Sequence, residues 1–209
     1  MNDILLWLSN NVSLVSALTS LMMVFVWLFY ANLFFRDFRS RHHPRMLVHQ
    51  APDNRLDSMC FVVNMSGVLV NIVGVFACDR VNGRTVEITD YRHYTTPDEV
   101  GSRELKSVLK QGPLGEGQFL QLGTFEKIVS MLSIDPERCR RETQEIELRV
   151  ALFHGSSRLP VGARRAFSVG RRAGSEVEVR PTTFRTVQMT SLRERRRVLE
   201  WLRRGTFPH

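Results

Sequence analysis

MCFVVNMSGVLVNIVGVFACDRVNGRTVEITD, residues 59–90, decides how the folded part of this 209-residue chain is read. The apolar run 59–64 ends in Asn64-Met65-Ser66-Gly67, four residues that favour a turn. Val68, Val70, Ile72, Val73 and Val75 then make a long β-branched run, with Gly74 as the place for a bulge. Asn82-Gly83 supplies a tight hairpin signal. After it Val86 and Ile88 alternate with Thr85, Glu87 and Thr89. The stretch predicts an antiparallel meander.

Strand signals continue downstream. Residues 118–123 and 145–154 read as strands, the second with Ile146, Leu148, Val150 and Leu152 on one face. Shorter strands are expected at 166–169 and 177–180, joined by a hairpin at Arg171-Arg172-Ala173-Gly174. Helices are expected only in the connections. One begins at Thr96-Pro97-Asp98-Glu99, a second covers 103–111 and stops at Gly112-Pro113, and a third covers 125–132 behind a Thr124 cap. This pattern predicts a mainly-β soluble domain over 46–190, an immunoglobulin-like antiparallel β-sandwich with short helical insertions. Ser191-Leu192-Arg193-Glu194 is a capping box that opens a basic amphipathic helix over 191–205, closed by Gly205. Leu192, Val198, Leu199 and Leu202 form its apolar stripe. Arg193, Arg195, Arg196, Arg197, Arg203 and Arg204 make a basic face for lipid or a partner, or for solvent if the stripe packs on the β domain.

Upstream of the meander, residues 12–35 contain no charged side chain, enough for a single transmembrane helix behind a short extracytoplasmic or interfacial segment, 1–11. The segment before the span lacks Lys and Arg, and bulky Phe34 and Phe35 stand where a signal peptide would need small residues, so an uncleaved anchor is expected. Beyond the span a basic juxtamembrane segment, 36–45, carries Arg36, Arg39, Arg41 and Arg45 against Asp37. The positive-inside bias then places the N-terminus outside and the domain in the cytoplasm, at a cytoplasmic (inner) membrane. Ser13, Ser16, Ala17 and Ser20 share one helix face, a candidate packing seam for a second helix.

The formal charge of +8 is concentrated in that collar and in the last twenty residues, so anionic lipid headgroups are expected as the partner and nucleic acid is not. An arginine-rich, lysine-poor composition suits a GC-rich bacterial genome. Cys60, Cys78 and Cys139 are too few and too scattered for a disulfide framework. His42 and His43 lie among arginines that would repel a cation. Nucleophile-elbow, zinc-protease and phosphate-loop motifs are all missing, and the glycine-rich Gly112–Gly117 stretch has no lysine. No catalytic set, no metal site and no cofactor are therefore expected.

One constellation has a known counterpart. Arg41-x-x-x-Arg45 followed by Asn64-x-Ser66 resembles the two-part signature of PilZ cyclic-dinucleotide receptors, which place arginines before a β-barrel and follow them with D/N-x-S-x-x-G. The last position here is Leu69 and not glycine, and the resemblance covers only these residues. It implies a ligand held through Arg41 and Arg45. Read without it, the same residues are a basic collar and a hairpin turn. The leading expectation is a single-pass, membrane-anchored, non-enzymatic interaction or scaffold protein with a protein partner or self-association through its transmembrane helix. The alternatives are a membrane-tethered sensor of an anionic, cyclic-dinucleotide-like ligand and an oligomeric channel or pore accessory subunit.

Overall fold

The structure, a computed structural model, describes residues 11–41, 44–88, 110–155, 157–171 and 176–206. The chain divides into two compact units, residues 1–43 and 44–209. The first unit holds helix α1, Val12–Arg41. Within it Val12–Arg36 is long and apolar enough to cross a membrane, and none of that stretch is buried by the rest of the chain. The helix outlasts its apolar part because the arginines that follow are good helix formers and need only water around them.

Among the described residues of the second unit every strand pairing is antiparallel. Strands β1 (Met46–Gln50), β2 (Met59–Asn64) and β6 (Phe119–Thr124) form a three-stranded sheet in the order β1-β2-β6. The larger sheet is built on three long strands, β3 (Val70–Asp79), β7 (Gln144–His154) and β8 (Val161–Arg171). Short strands share its two edges. β4 (Thr85–Glu87) and β5 (Gly112–Leu114) pair with opposite halves of β3, while β9 (Val177–Pro181) and β10 (Val187–Met189) pair with opposite halves of β8. Ile146, Leu148, Val150 and Leu152 of β7 point into one core with Val48, Val62 and Leu122 of the small sheet. Helix α2 (Phe125–Met131) adds Phe125 and Ile128 to that core, its Thr124 cap accepting from the Lys127 N–H.

The strands read from residues 59–88 are present but do not form one meander: β2 pairs with β1 and β6 in the small sheet, and only β3 and β4 make a hairpin, because the Asn64 turn carries the chain from one sheet to the other. Gly74 lies at a register shift of β3 against β7. Several other expectations change. Gly112-Pro113 belongs to strand β5, which was not expected; proline costs no ladder bond at a sheet edge. Strand β8 runs the whole of Val161–Arg171, not only 166–169, since Arg164 and Arg165 interrupt the apolar pattern without interrupting the strand. A short helix α3 (Pro136–Arg141) follows Asp135, whose carboxylate caps the Glu137 N–H. The expected helices at 96 and 103–111 and the 171–174 hairpin fall wholly or largely outside the described residues.

Helix α4 (Leu192–Thr206) lies on the outer face of the large sheet and carries one turn past Trp201, so Gly205 sits inside it and does not end it. Val198 is fully buried against Phe76, Ala151 and Met189, with Trp201 and Leu202 packed beside it. The Ser191 hydroxyl and N–H both donate to the Glu194 carboxylate, and these bonds hold that carboxyl below the usual range. Gly162 is what lets the helix come this close: a Cβ built on it would lie 2.5 Å from Cγ2 of Val198. Gly162→Ala should therefore cost on the order of 1–3 kcal/mol in chemical denaturation, and adding Val198→Ala should recover part of the loss. An unchanged midpoint for the single variant would show that the helix does not pack there.

Candidate functional site

The side chains that sequence reading singled out are brought together only in part. Arg45 stands exposed at the start of β1, immediately before Met46. Its carbonyl accepts the Met65 N–H at 2.8 Å, which ties the second arginine of the Arg41-x-x-x-Arg45 pair to the Asn64-Met65-Ser66 turn. Arg36 is exposed on α1, whereas the side chains of Arg39 and Arg41 lie outside the described residues. Ser13, Ser16, Ala17 and Ser20 are all exposed on that helix.

The turn is rigid because Asn64 is wholly buried and fully used. Its Nδ2 donates to the carbonyls of Val68 (2.8 Å), Leu114 (2.9 Å) and Gly115 (3.1 Å). Its Oδ1 accepts from both the N–H and the hydroxyl of Ser66. Its backbone N–H bonds the Gln118 carbonyl and its own carbonyl takes the Gly117 N–H, each at 2.9 Å. Gly117 has a positive φ of 66°, a conformation a side chain would strain. With both side chains spent on the fold, Asn64 and Ser66 shape the corner and leave Arg45 as its free-standing charge. A single guanidinium beside a fixed turn can bind an anion; it offers no nucleophile and no general base.

Along the inner side of β1 the structure holds residues that sequence reading missed. Thr186 and Gln188 supply side-chain oxygens to the N–H groups of Val48 and Met46, doing for β1 what a neighbouring strand would. Arg165, 8% exposed, donates from Nη1 to the Val48 carbonyl at 2.6 Å and from Nη2 towards the carbonyls of Thr183 and Phe184. No carboxylate among the described residues pairs with it, and burial lowers its pKa. The nearby Cys60 thiol is pushed up by the same burial. A signal did exist: Arg165 occupies an inward position in the alternation Val161, Ala163, Phe167, Val169.

The basic C-terminal face is only partly available. Arg195 is committed to the β7–β8 connection, donating to the Pro160 and Leu159 carbonyls and to the Ser157 hydroxyl. Arg193, Arg196, Arg197 and Arg203 are exposed, and the Arg204 side chain lies outside the described residues. Beneath the helix Arg149 stacks over Trp201, and the buried Glu147 carboxylate bonds Arg149 (2.6 Å) and Arg164 (3.2 Å). Beside them Glu87 is raised by burial, partly offset by the Gln111 amide. Among the described residues no group of His, Cys, Asp and Glu is arranged to hold a metal, and all three cysteines are free and buried.

No family model matches the chain, and no curated protein or solved structure matches it. The geometry defines the chain as an apolar N-terminal helix followed by an antiparallel β domain and a C-terminal helix, with a cationic residue fixed at a polar corner. Asn64→Ala should strand three carbonyls and two donors, lowering unfolding free energy by on the order of 3 kcal/mol. Asn64→Asp should not rescue it, having no N–H to give; equal denaturation midpoints for wild type and both variants would remove Asn64 from this role.

Proposed function

We propose that this chain is a single-pass, membrane-anchored, non-enzymatic sensor of the cytoplasmic (inner) membrane, whose cytoplasmic β domain binds an anionic small ligand of the cyclic-dinucleotide class. The observation that carries this reading is the Met65 N–H to Arg45 carbonyl bond. It joins the two parts of the PilZ-like signature, arginine before the first strand and Asn-x-Ser at the turn after the second, although they are nineteen residues apart in sequence. Arg45 would pair with a phosphate, and the Asn64–Ser66 turn would fix the backbone against which the ligand lies. The framework is proposed to be of the sandwich type, with β1 bridging its two sheets through Thr186 and Gln188.

The interaction-module reading is retained as the second. It is favoured by the outer face of the small sheet, where Phe61 and exposed Phe119 meet edge to face at 5.7 Å with no further element covering them among the described residues. In that reading the same anchor, orientation and anionic lipid contacts serve a protein partner. The Ser13, Ser16, Ala17 and Ser20 face would seat a second helix, which is also what an oligomeric channel accessory would need.

Two measurements test the sensor. With the full chain in lipid nanodiscs, calorimetric titration of cyclic diguanylate and cyclic diadenylate should give saturable binding to at least one, and Arg45→Ala should weaken it about tenfold or more, the loss of one charge-assisted pair. Absence of heat at about 100-fold above a micromolar Kd, a range in which such ligands would saturate, would end the sensor reading and leave the interaction module. Orientation is tested by protease protection in inverted membrane vesicles. The β domain should be digested, and replacing Arg36, Arg39, Arg41 and Arg45 together with Gln should invert or scramble that pattern. An unaltered pattern would show that these arginines do not set the topology.

A further inference from the structure

Helix α4 does not seal the outer face of the large sheet. Between its flank and β4 lies a cavity of about 340 Å3, at the small end of the range in which compact organic ligands are held. The floor is one row across three strands. Glu87 of β4 and Arg149 of β7 stand on either side of Phe76 of β3, and Thr85 lines the same floor. The wall is Arg197, Glu200 and Trp201 of α4, which share a helix flank at i, i+3 and i+4.

The charges around this cavity are of two kinds. Arg149 is spent: it bonds the Glu147 carboxylate at 2.6 Å and stacks over Trp201 at 5.0 Å, which fixes the indole as an apolar wall. Glu87, Glu200 and Arg197 are not spent. Glu87 is half-buried and has the Gln111 amide at 2.9 Å but no cation; burial raises its carboxyl, and the amide offsets part of that. Glu200 and Arg197 lie one helical turn apart, yet neither forms an ion pair with the other or with any described residue.

Two acids and one base left open around aromatic side chains select for a molecule that carries both signs. A simple anion would meet Glu87 and Glu200, and a simple cation would meet Arg197. A carboxylate and an ammonium on one small molecule, with an apolar group beside them, find a partner for each part. We propose that the cavity between α4 and β4 binds a free amino acid with an apolar side chain. Arg197 takes its carboxylate, Glu87 and Glu200 take its ammonium group, and Phe76 and Trp201 receive the side chain. The site shares no residue with the Arg45 and Asn64–Ser66 corner, so its test stands apart from that of the sensor.

The test is calorimetric titration of the full chain in lipid nanodiscs with L-phenylalanine and L-leucine. Each is compared with two analogues that keep one charge, phenethylamine and phenylpropionate for the first, isoamylamine and isocaproate for the second. At least one amino acid should saturate the site below about 10 mM, and both of its analogues should bind about tenfold more weakly or worse. Arg197→Gln and Glu87→Gln should each weaken the amino acid several-fold. Both variants keep the fold, since Arg197 is exposed and unpaired and a glutamine at 87 still accepts from Gln111. Arg193→Gln, exposed on the same helix but outside the cavity, should leave the affinity unchanged. Absence of saturation by either amino acid at about 10 mM overturns the proposal. So does an analogue that binds as tightly as its parent, which would make this a site for one charge only. Equal affinities for wild type, Arg197→Gln and Glu87→Gln would place the ligand elsewhere and overturn it as well.

Discussion

One buried amide holds the place where this chain passes from its small sheet to its large one. The Asn64 side chain ends β2, fixes the carbonyls at the entry to β3 and at the end of β5, and through its backbone pairs with the loop before β6. No aliphatic residue of that size could do this, since a buried corner exposes carbonyls that must find donors. The amide offers two N–H groups to three acceptors, so one is shared. The next residue, Met65, gives its N–H to the Arg45 carbonyl, so the start of β1 is fixed at the same corner.

The second organising feature is a charge kept inside. Arg165 reaches carbonyls on β1 and on the 183–184 segment from its place on β8, joining three parts of the chain that no ladder connects. Carbonyl oxygens spread the compensation over several dipoles, and the Phe167 ring lies 5.6 Å from the guanidinium carbon. Glu147 shows the opposite arrangement on the outer face of the same sheet, a buried carboxylate between two arginines under α4. Several charges on this domain thus act as fasteners. Its surplus of arginine is for that reason a poor guide to what it binds, as Arg195, absorbed by loop carbonyls, makes plain.

What the sequence disclosed follows from periodicity and caps. Strand β2 and the hairpin at Asn82-Gly83 were legible because apolar alternation and turn residues agree there. The Thr124 cap was legible for the same reason, a hydroxyl just ahead of an apolar period. The length of β8 was hidden by Arg164 and Arg165, the first half-buried and paired with Glu147, the second buried and donating to the Val48 carbonyl, both partners lying on other strands. The role of β5 was hidden because Gly-Pro marks a break unless an edge is known to be free. Of the site, the residue types of the Arg45 and Asn64–Ser66 pair were visible, but their junction is a backbone bond to which neither side chain contributes. That Asn64 is spent on the fold needed coordinates, because an amide in a turn looks the same whether it faces water or carbonyls.

Strand β1 has unlike seams on its two sides. Towards β2 it is sewn by a five-residue ladder, from Met46 opposite Asn64 to Gln50 opposite Cys60. Towards the large sheet its hydrogen bonds run through side chains, those of Thr186, Gln188 and Arg165 and its own Gln50, whose amide reaches the Val179 carbonyl. Side-chain bonds have rotatable stems and give way over a longer distance than a backbone ladder does. The ladder thus makes β1 part of the small sheet, while its link to the sheet that carries β8 and α4 depends on which side chains happen to reach it.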